Sequence, residues 1–581
     1  MAVRWIGFNG RRGDVGAAPL AAVSVGRASG HGRFGGGLAL AAAALVLAGC
    51  TSAQPAAPAS SADGAVTPKV NRVVFATEPP GHENMELRNL SPADFMPLRP
   101  MYDALIGVDP TDGKNRPYLA TSWSLRPDGV SFDFKLREGV QLHHEMGAFT
   151  GKDVVIAWKE VIKEDSLHGN SPFFRESVKD VEVVNDYDVV FHLTRPDGNF
   201  LSTMSEMSGG VEPFSKAQFD KTGPGTFQTG PIAGTGPYQF KEAEQGRYIR
   251  YERPAYKHYR MTPDFPEFEF RFVKEASTRL AGLLTGEVQL ANLPEDLMKQ
   301  ASGQGMKVAQ GKVPALRVFA GAMCCFIKDV KDYAKGYMNP DDPLADVRVR
   351  RALSKAINRD ELNKAFFGGK GQLMVLNVFH PTRPGWNPEW EKRFQDEYGY
   401  DPAKAKALLA EAGYGPNNPL KTNALLLPVA GYSGGEDILE ALAGYWRSAG
   451  IDVKLINIDA TQQLLMRRQF LFSNTISLTG TASYMWTGNS AHGSSLGPRG
   501  NRAELPDADR LLAQVANTLD EKKQDDLWRQ VGEVNFSQHK HIPLFWNPVE
   551  VMYNPVIVGD YIFGGYNSGA FTHVYNIKAA R

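Results

Sequence analysis

The 581-residue sequence predicts an α/β protein built as two large lobes. Segments with period-two hydrophobicity alternate with capped helical segments along the whole chain, and that mixture excludes a helical bundle or a β-sandwich. The chain that follows an N-terminal leader is 532 residues long, more than one ordinary domain holds. It shows no fixed-period repeat, so a solenoid is excluded as well.

Each element has a local reason. Residues 70–76, Val-Asn-Arg-Val-Val-Phe-Ala, read as a short strand. A loop rich in Pro, Asn and Met follows over 78–99, and then an apolar, helix-like segment over 101–106. Residues 131–136 alternate, with Phe132, Phe134 and Leu136 on one face, after the turn Pro127-Asp128-Gly129. Thr150 caps a helix over 154–164, where Asp153 favours the positive helix end. A second alternating strand spans 188–193, and Gly236-Pro237-Tyr238 is a turn feeding a strand. Residues 347–367 read as one helix closed by Gly368-Gly369, its start braced by Arg348, Arg350 and Arg351. The strongest local helix has Asp401 as cap, Pro402 at its first position, Gly413 at its end and an apolar stripe of Ala405, Leu408, Leu409 and Ala412. A helix over 438–448 then leads through Gly450 to a strand over 451–455.

The leader carries its own signal. Residues 38–46 are an apolar run flanked by Arg27 and Arg33, too short to cross a bilayer as a helix, which takes about 20 apolar residues. The run ends at Leu47-Ala48-Gly49-Cys50, which resembles the bacterial lipobox. That resemblance implies cleavage before Cys50 and acylation of its thiol and new amino group, leaving 1–49 as a lipoprotein signal peptide and 50–67 as a disordered Ser/Ala/Pro-rich tether. The alternative is a plain secretory signal with an incidental cysteine. Lys+Arg and Asp+Glu are both 64; the leader removes five basic residues and one acidic, so the remainder carries 59 against 63, a net of −4. That balance gives no footprint for nucleic acid. Cys324 and Cys325 are too few for a disulfide scaffold and read as ordinary buried thiols.

Four blocks, in order, resemble the extracellular solute-binding proteins of family 5, the dipeptide, oligopeptide and nickel group that feeds ABC importers. The first runs from Leu119-Ala120-Thr121-Ser122-Trp123 through Asp128-Gly129 to Gly139-Val140, with Phe149-Thr150-Gly151-Lys152-Asp153-Val154 behind it. The second is Gly234-Thr235-Gly236-Pro237-Tyr238 with Tyr251-Glu252-Arg253 and Tyr256; the third is Asp346-Val347-Arg348-Val349-Arg350-Arg351-Ala352-Leu353 with Ala356-Ile357-Asn358-Arg359; the fourth spans 400–414. The resemblance implies a two-lobed, periplasmic-binding-protein-like clamshell of the type II class with an extra subdomain and a hinge between lobes. On that pattern lobe I comprises 68–100, 212–310 and 545–581, the extra subdomain 101–211 and lobe II 311–544. Chain crossings are expected at 313–320 and 543–547. The implied activity is capture of a peptide or other small organic solute, with no catalysis and no cofactor, for delivery to a membrane permease and its ATPase subunits. The implied setting is a monomer, lipid-anchored at the outer face of the cytoplasmic membrane.

The blocks identify the machine more than its cargo. Candidate ligand contacts are Thr77 and Glu78 after the first strand, Tyr432 in the loop 428–435, and Tyr484 and Trp486, whose rings offer flat faces with a polar handle. Packing aromatics and a helix-entry turn are the alternative readings of those last three. Peptide-binding relatives carry an acidic residue near 484 for the peptide amino group, yet no Asp or Glu occurs from 460 to 503. Ligand recognition is therefore expected through Glu78 or Glu436, or else the ligand is a non-peptide solute such as an opine or sugar conjugate. His143-His144-Glu145 reads as a structural turn, and His539 and His541 as alternating strand residues without a third ligand, so no metal site is assigned. The other classes weighed are an anchored hydrolase, an envelope protein that kept the fold without a ligand, and a nickel or metal-chelate binder. The hydrolase lacks a G-x-S-x-G elbow, an H-E-x-x-H pair and a Walker A loop.

Overall fold

The computed structural model describes residues 67–581 except 81–84, 90–95, 227–228, 313–315, 330–331, 382, 428–433, 459–465, 467–470, 483–503 and 566–572. Cys50 and the leader lie outside the described residues. Among the described residues no helix is long and apolar enough to cross a membrane.

The chain begins with β1 (Arg72–Thr77) and a small hairpin, β2 (Ile106–Val108) and β3 (Asn115–Pro117). An antiparallel four-stranded sheet follows, from β4 (Ala120–Leu125), β5 (Ser131–Leu136), β6 (Val178–Asn185) and β7 (Asp188–Leu193). The chain then returns to β1's sheet with β8 (Gln239–Glu244), β9 (Tyr248–Glu252), β10 (Glu267–Phe272), β11 (Leu290–Ala291) and β12 (Lys307–Gln310). A separate sheet takes β13 (Leu316–Met323), β14 (Gln372–Leu373), β15 (Lys421–Leu427), β16 (Asp452–Leu455), β17 (Thr475–Ala482) and β18 (His541–Asn547). Finally β19 (Glu550–Tyr553) rejoins the first sheet, and β20 (Val558–Tyr561) pairs with β21 (Ile577–Ala579). The first sheet thus has the order β12-β19-β11-β1-β10-β9-β8 and the second the order β14-β18-β13-β17-β15-β16.

β1 shows why the first sheet is buried on both faces. Successive side chains point to opposite faces. Val73 and Phe75 join a core that includes Phe268, Phe270 and Tyr251. Val74 and Ala76 pack with Leu280, Leu283 and Met298, from the helices Ala276–Thr285 and Glu295–Gly303. One face of the second sheet is covered by a helix too, with Ile476, Leu478 and Ala424 clustered with Leu442 and Trp446 of the helix Gly435–Ser448.

Local signals place several boundaries. The helix Gly151–Val161 begins three residues before its expected start, and the Thr150 amide donates to Asp153 Oδ2 at 2.8 Å. Asp401 accepts the Lys404 amide at 2.8 Å and starts the helix Pro402–Glu411.

Five expectations need correction. Residues 101–106 are not a helix: their carbonyls bond to other parts of the chain, with the Gly236 amide donating to Met101 O, the Leu119 amide to Ala104 O and the Ala120 amide to Leu105 O. The single helix over 347–367 is two, Val347–Lys355 and Arg359–Phe367, because Asn358 accepts the Glu361 amide as a new cap. Cys324 and Cys325 are joined in a disulfide rather than free thiols. His539 is not on a strand; it sits in the turn before β18 at φ 46°, so it does not share a face with His541. Of the segments expected as crossings, 313–320 and 543–547, residues 316–320 and 543–547 are paired strands of the second sheet, so the chain passes between the sheets between Gln310 and Leu316 and between Asn547 and Glu550.

Candidate functional site

Strand direction decides which ends of the two sheets face each other. β1 runs parallel to β10 and β11, so Thr77, Phe272 and Ala291 mark one end of the first sheet. β19 is antiparallel to β11, and its first residue, Glu550, pairs with Gln310, the last of β12. The chain therefore leaves the first sheet after Gln310 and returns at Glu550, both at the carboxyl end of β1. In the second sheet Leu316 pairs with Ala482 and with Asn547, so both crossings reach it at the carboxyl end of β17. β15 runs parallel to β17 and ends there too. The crossings are tied together by the Gly311 amide donating to Val549 O at 2.8 Å. The carboxyl ends of parallel strands in both sheets thus open toward one another, the place where open α/β sheets hold ligands.

On the first wall Thr77 is buried and Glu78 retains 31% of its side-chain exposure. Behind Glu78 stands Arg279, its side chain fully buried. Arg279 Nε donates to Asn292 O at 2.7 Å, Nη1 to Val273 O and Lys274 O at 2.7 and 2.8 Å, and Nη2 to Glu78 Oε1 at 3.3 Å. One guanidinium therefore fastens the residues that follow β10, β1 and β11. Burial pushes the Glu78 carboxyl above the usual range, and the charge of Arg279 only partly offsets it. A carboxylate held in that condition gains from any further positive charge or hydrogen-bond donor that reaches it.

On the second wall the chain leaves β15 at Leu427 and β17 at Ala482, strands paired in parallel. Tyr432 follows the first, and Tyr484 and Trp486 follow the second; all three lie outside the described residues. Thr77 and Glu78 are therefore brought to the facing ends, while Glu436 is exposed in the first turn of the helix Gly435–Ser448. Near the crossings Lys370 Nζ reaches Glu295 at 3.2 Å and Glu550 at 3.5 Å, an ion cluster between the sheets.

Sequence reasoning missed Arg279, Asn292 and Lys370. Arg279 had a signal: it stands one residue before Leu280 and four before Leu283, on the face that the helix Ala276–Thr285 buries. A lone cation on an apolar face needs carbonyl or carboxylate partners.

Other clusters resolve as structure. His143 is buried, its Nε2–H donates to Gly236 O at 2.8 Å, and burial pushes the imidazole down to about 4. Among the described residues no group of three His, Cys, Asp or Glu side chains is arranged to hold a metal. An open cavity of about 520 Å³ is lined by Glu252, Tyr256, His258 and Glu267. Glu267 is the first residue of β10, so that cavity lies at the opposite end of the strands from Glu78.

Solved structures share this architecture. A periplasmic binding protein from Helicobacter pylori in complex with a peptide superposes with a TM-score of 0.70 at 21% identity, covering 88% of this chain and 98% of that one. A dipeptide-binding protein from Pseudoalteromonas superposes at 0.71 with 18% identity, covering 87% of this chain and 100% of the other. The fold is that of the two-lobed α/β periplasmic binding proteins. Residues 114–494 match the family described as bacterial extracellular solute-binding proteins, family 5, and the chain belongs to that family. Among its relatives are the dipeptide-binding protein of Escherichia coli, 27% identical over 62% of this chain and 66% of that one, and heme-binding protein A of Haemophilus influenzae, 25% identical over 87% and 93%.

Proposed function

We propose that this protein is the substrate-binding component of an ABC importer, which captures a peptide or other small organic solute between its lobes and hands it to a separate permease and ATPase without chemical turnover. The observation that carries this reading is the geometry of the two sheets, whose carboxyl ends face across two short crossings with the under-compensated Glu78 on one wall. Thr77 and Glu78 form the first-lobe contact, and Tyr432, Tyr484 and Trp486 the second. Closure is a hinge motion about 311–315 and 548–549, driven by tighter binding in the closed state. The Leu47-Ala48-Gly49-Cys50 motif supports an acylated Cys50 that holds the protein, taken here as a monomer, at the outer face of the cytoplasmic membrane.

Mass spectrometry of ligand co-purifying with the native protein tests the reading directly. Trp486→Ala is expected to weaken binding of the solute found by about tenfold, or 1.4 kcal/mol. Unchanged affinity would return Trp486 to packing, and turnover of the solute by purified protein would overturn the binding assignment. Replacing Cys50 by Ala is expected to release the protein from the membrane fraction.

A further inference from the structure

Apart from the two covalent crossings and the Lys370 cluster, the lobes meet at a point that no chain connection requires. Residues 194–199 follow β7 and lead into the short helix Phe200–Met204. Phe200 anchors them to the four-stranded sheet, its ring 4.9 Å from that of Phe132 and 5.7 Å from that of Phe191. Opposite them stand the helices Pro506–Ala516 and Glu521–Ser537, whose Leu512, Val515, Leu527 and Val531 share an apolar cluster with Trp390 and Phe394. The second of these helices leads into β18, which places the pair with the second sheet.

We propose that residues 194–199 are a clasp that caps the carboxyl end of the helix Pro506–Ala516 across the lobe boundary, and that this cap holds the closed state. The last carbonyls of a helix have no partner within it, and the helix dipole concentrates negative charge there. Gly198 supplies the missing donor, its amide reaching Ala516 O at 3.1 Å. Arg195 supplies the cation, with Nη1 donating to Asn517 Oδ1 at 3.2 Å. Asn517 is itself held by Nδ2 donating to Ala513 O at 2.8 Å, so the arginine meets an oriented acceptor. Asp197 is buried and accepts the Asn199 amide at 2.9 Å, which fixes the bend that presents Gly198. The seat has no spare room: a Cβ on Gly198 would stand 2.3 Å from Gln524 Nε2 and 2.5 Å from Thr518 O. A helix end left uncapped when the lobes part and capped when they meet adds a closing term that involves no ligand atom. The proposal rests on the hinge reading above.

The test uses the mature chain with Cys50 changed to Ser and spin labels on Lys179→Cys and Lys522→Cys, exposed positions on β6 and on the helix Glu521–Ser537. Electron–electron distance measurement without added solute is expected to give a short component that Gly198→Val abolishes and Arg195→Ala diminishes, with circular dichroism unchanged. In the same samples, exchange of the Gly198 amide is expected to quicken about tenfold in Arg195→Ala, which corresponds to 1.4 kcal/mol. Should Gly198→Val fail to fold, Arg195→Ala and Asn517→Ala, which trim only side-chain arms, carry the test. Unchanged distances and exchange in the folded variants overturn the clasp. Solute binding by variants whose distances match those of the wild type leaves the importer reading standing and removes the clasp. Altered distances in a protein from which no solute is ever recovered do the reverse.

Discussion

Two carboxylate–arginine pairs, Asp103 with Arg260 and Glu78 with Arg279, share their chemistry and differ in their surroundings. Asp103 is buried, takes a contact from His258 Nε2 at 3.1 Å and is paired with Arg260, whose guanidinium lies 3.9 Å from the Tyr118 ring centre. Burial alone would raise the Asp103 carboxyl, but Arg260 and His258 outweigh it and hold the group well below the usual carboxylate range. Glu78 has one arginine at 3.3 Å, which three backbone carbonyls already share, and burial wins. The first pair is sealed and its carboxylate is compensated from two sides, a fastening between distant segments that leaves Arg260 Nε without a partner among the described residues. The second is partly exposed at the carboxyl end of a parallel strand and has capacity left for a ligand. Compensation, more than residue type, separates the structural carboxylate from the one we propose as a ligand contact.

The largest expected effect comes from breaking the sealed pair. Asp103→Ala strands a buried guanidinium and is expected to cost about 3–5 kcal/mol, read by denaturant unfolding. A loss below about 1 kcal/mol would mean that water or a rearranged partner already serves Arg260. Because the Asp103 carboxyl is lowered in the folded state, its contribution is complete above the unfolded value of 3.8 and is lost as pH falls through and below it. The gap between wild type and Asp103→Asn should therefore shrink on acidification, and a gap that widens would contradict the assignment.

Arg279→Met should come next. It leaves the carbonyls of Val273, Lys274 and Asn292 without their donor, and an unsatisfied buried acceptor costs about 1–3 kcal/mol. Amide exchange is expected to quicken at the ends of β10 and β11 before it does elsewhere.

The smallest effect on stability is expected from Glu78→Gln. A carboxyl raised in the folded state binds its proton more tightly there, so its contribution is present at low pH and lost as pH climbs through 4.5 toward the raised value. Glu78→Gln should match or slightly exceed wild-type stability at neutral pH, and the two should converge in acid. Affinity for a cationic solute should fall at the same time. A variant that loses stability and keeps affinity would make Glu78 a second Asp103.

The sequence carried the elements whose causes are local. Asp401 and Pro402 start a helix by capping and fixed φ wherever they occur, and the alternation of Phe132, Phe134 and Leu136 sets a strand face without help from the rest of the chain. The order of four motif blocks carried the family, and the motif at Cys50 the expectation of an anchor. It could not carry residues 101–106, an apolar run that local reasoning makes a helix. Their carbonyls are met by the amides of Gly236, Leu119 and Ala120, and a Cβ on Gly236 would stand 2.4 Å from Pro100 O, so only the approach of other segments settles the conformation. The same limit applies to the site. Glu78 was legible as a loop acid after a strand. Its state was not, because that depends on Arg279, some two hundred residues away, entering between three strand ends. Local propensity is read over a few residues, whereas burial, compensation of charge and the facing of two sheet ends are long-range sums, and only the folded chain decides them.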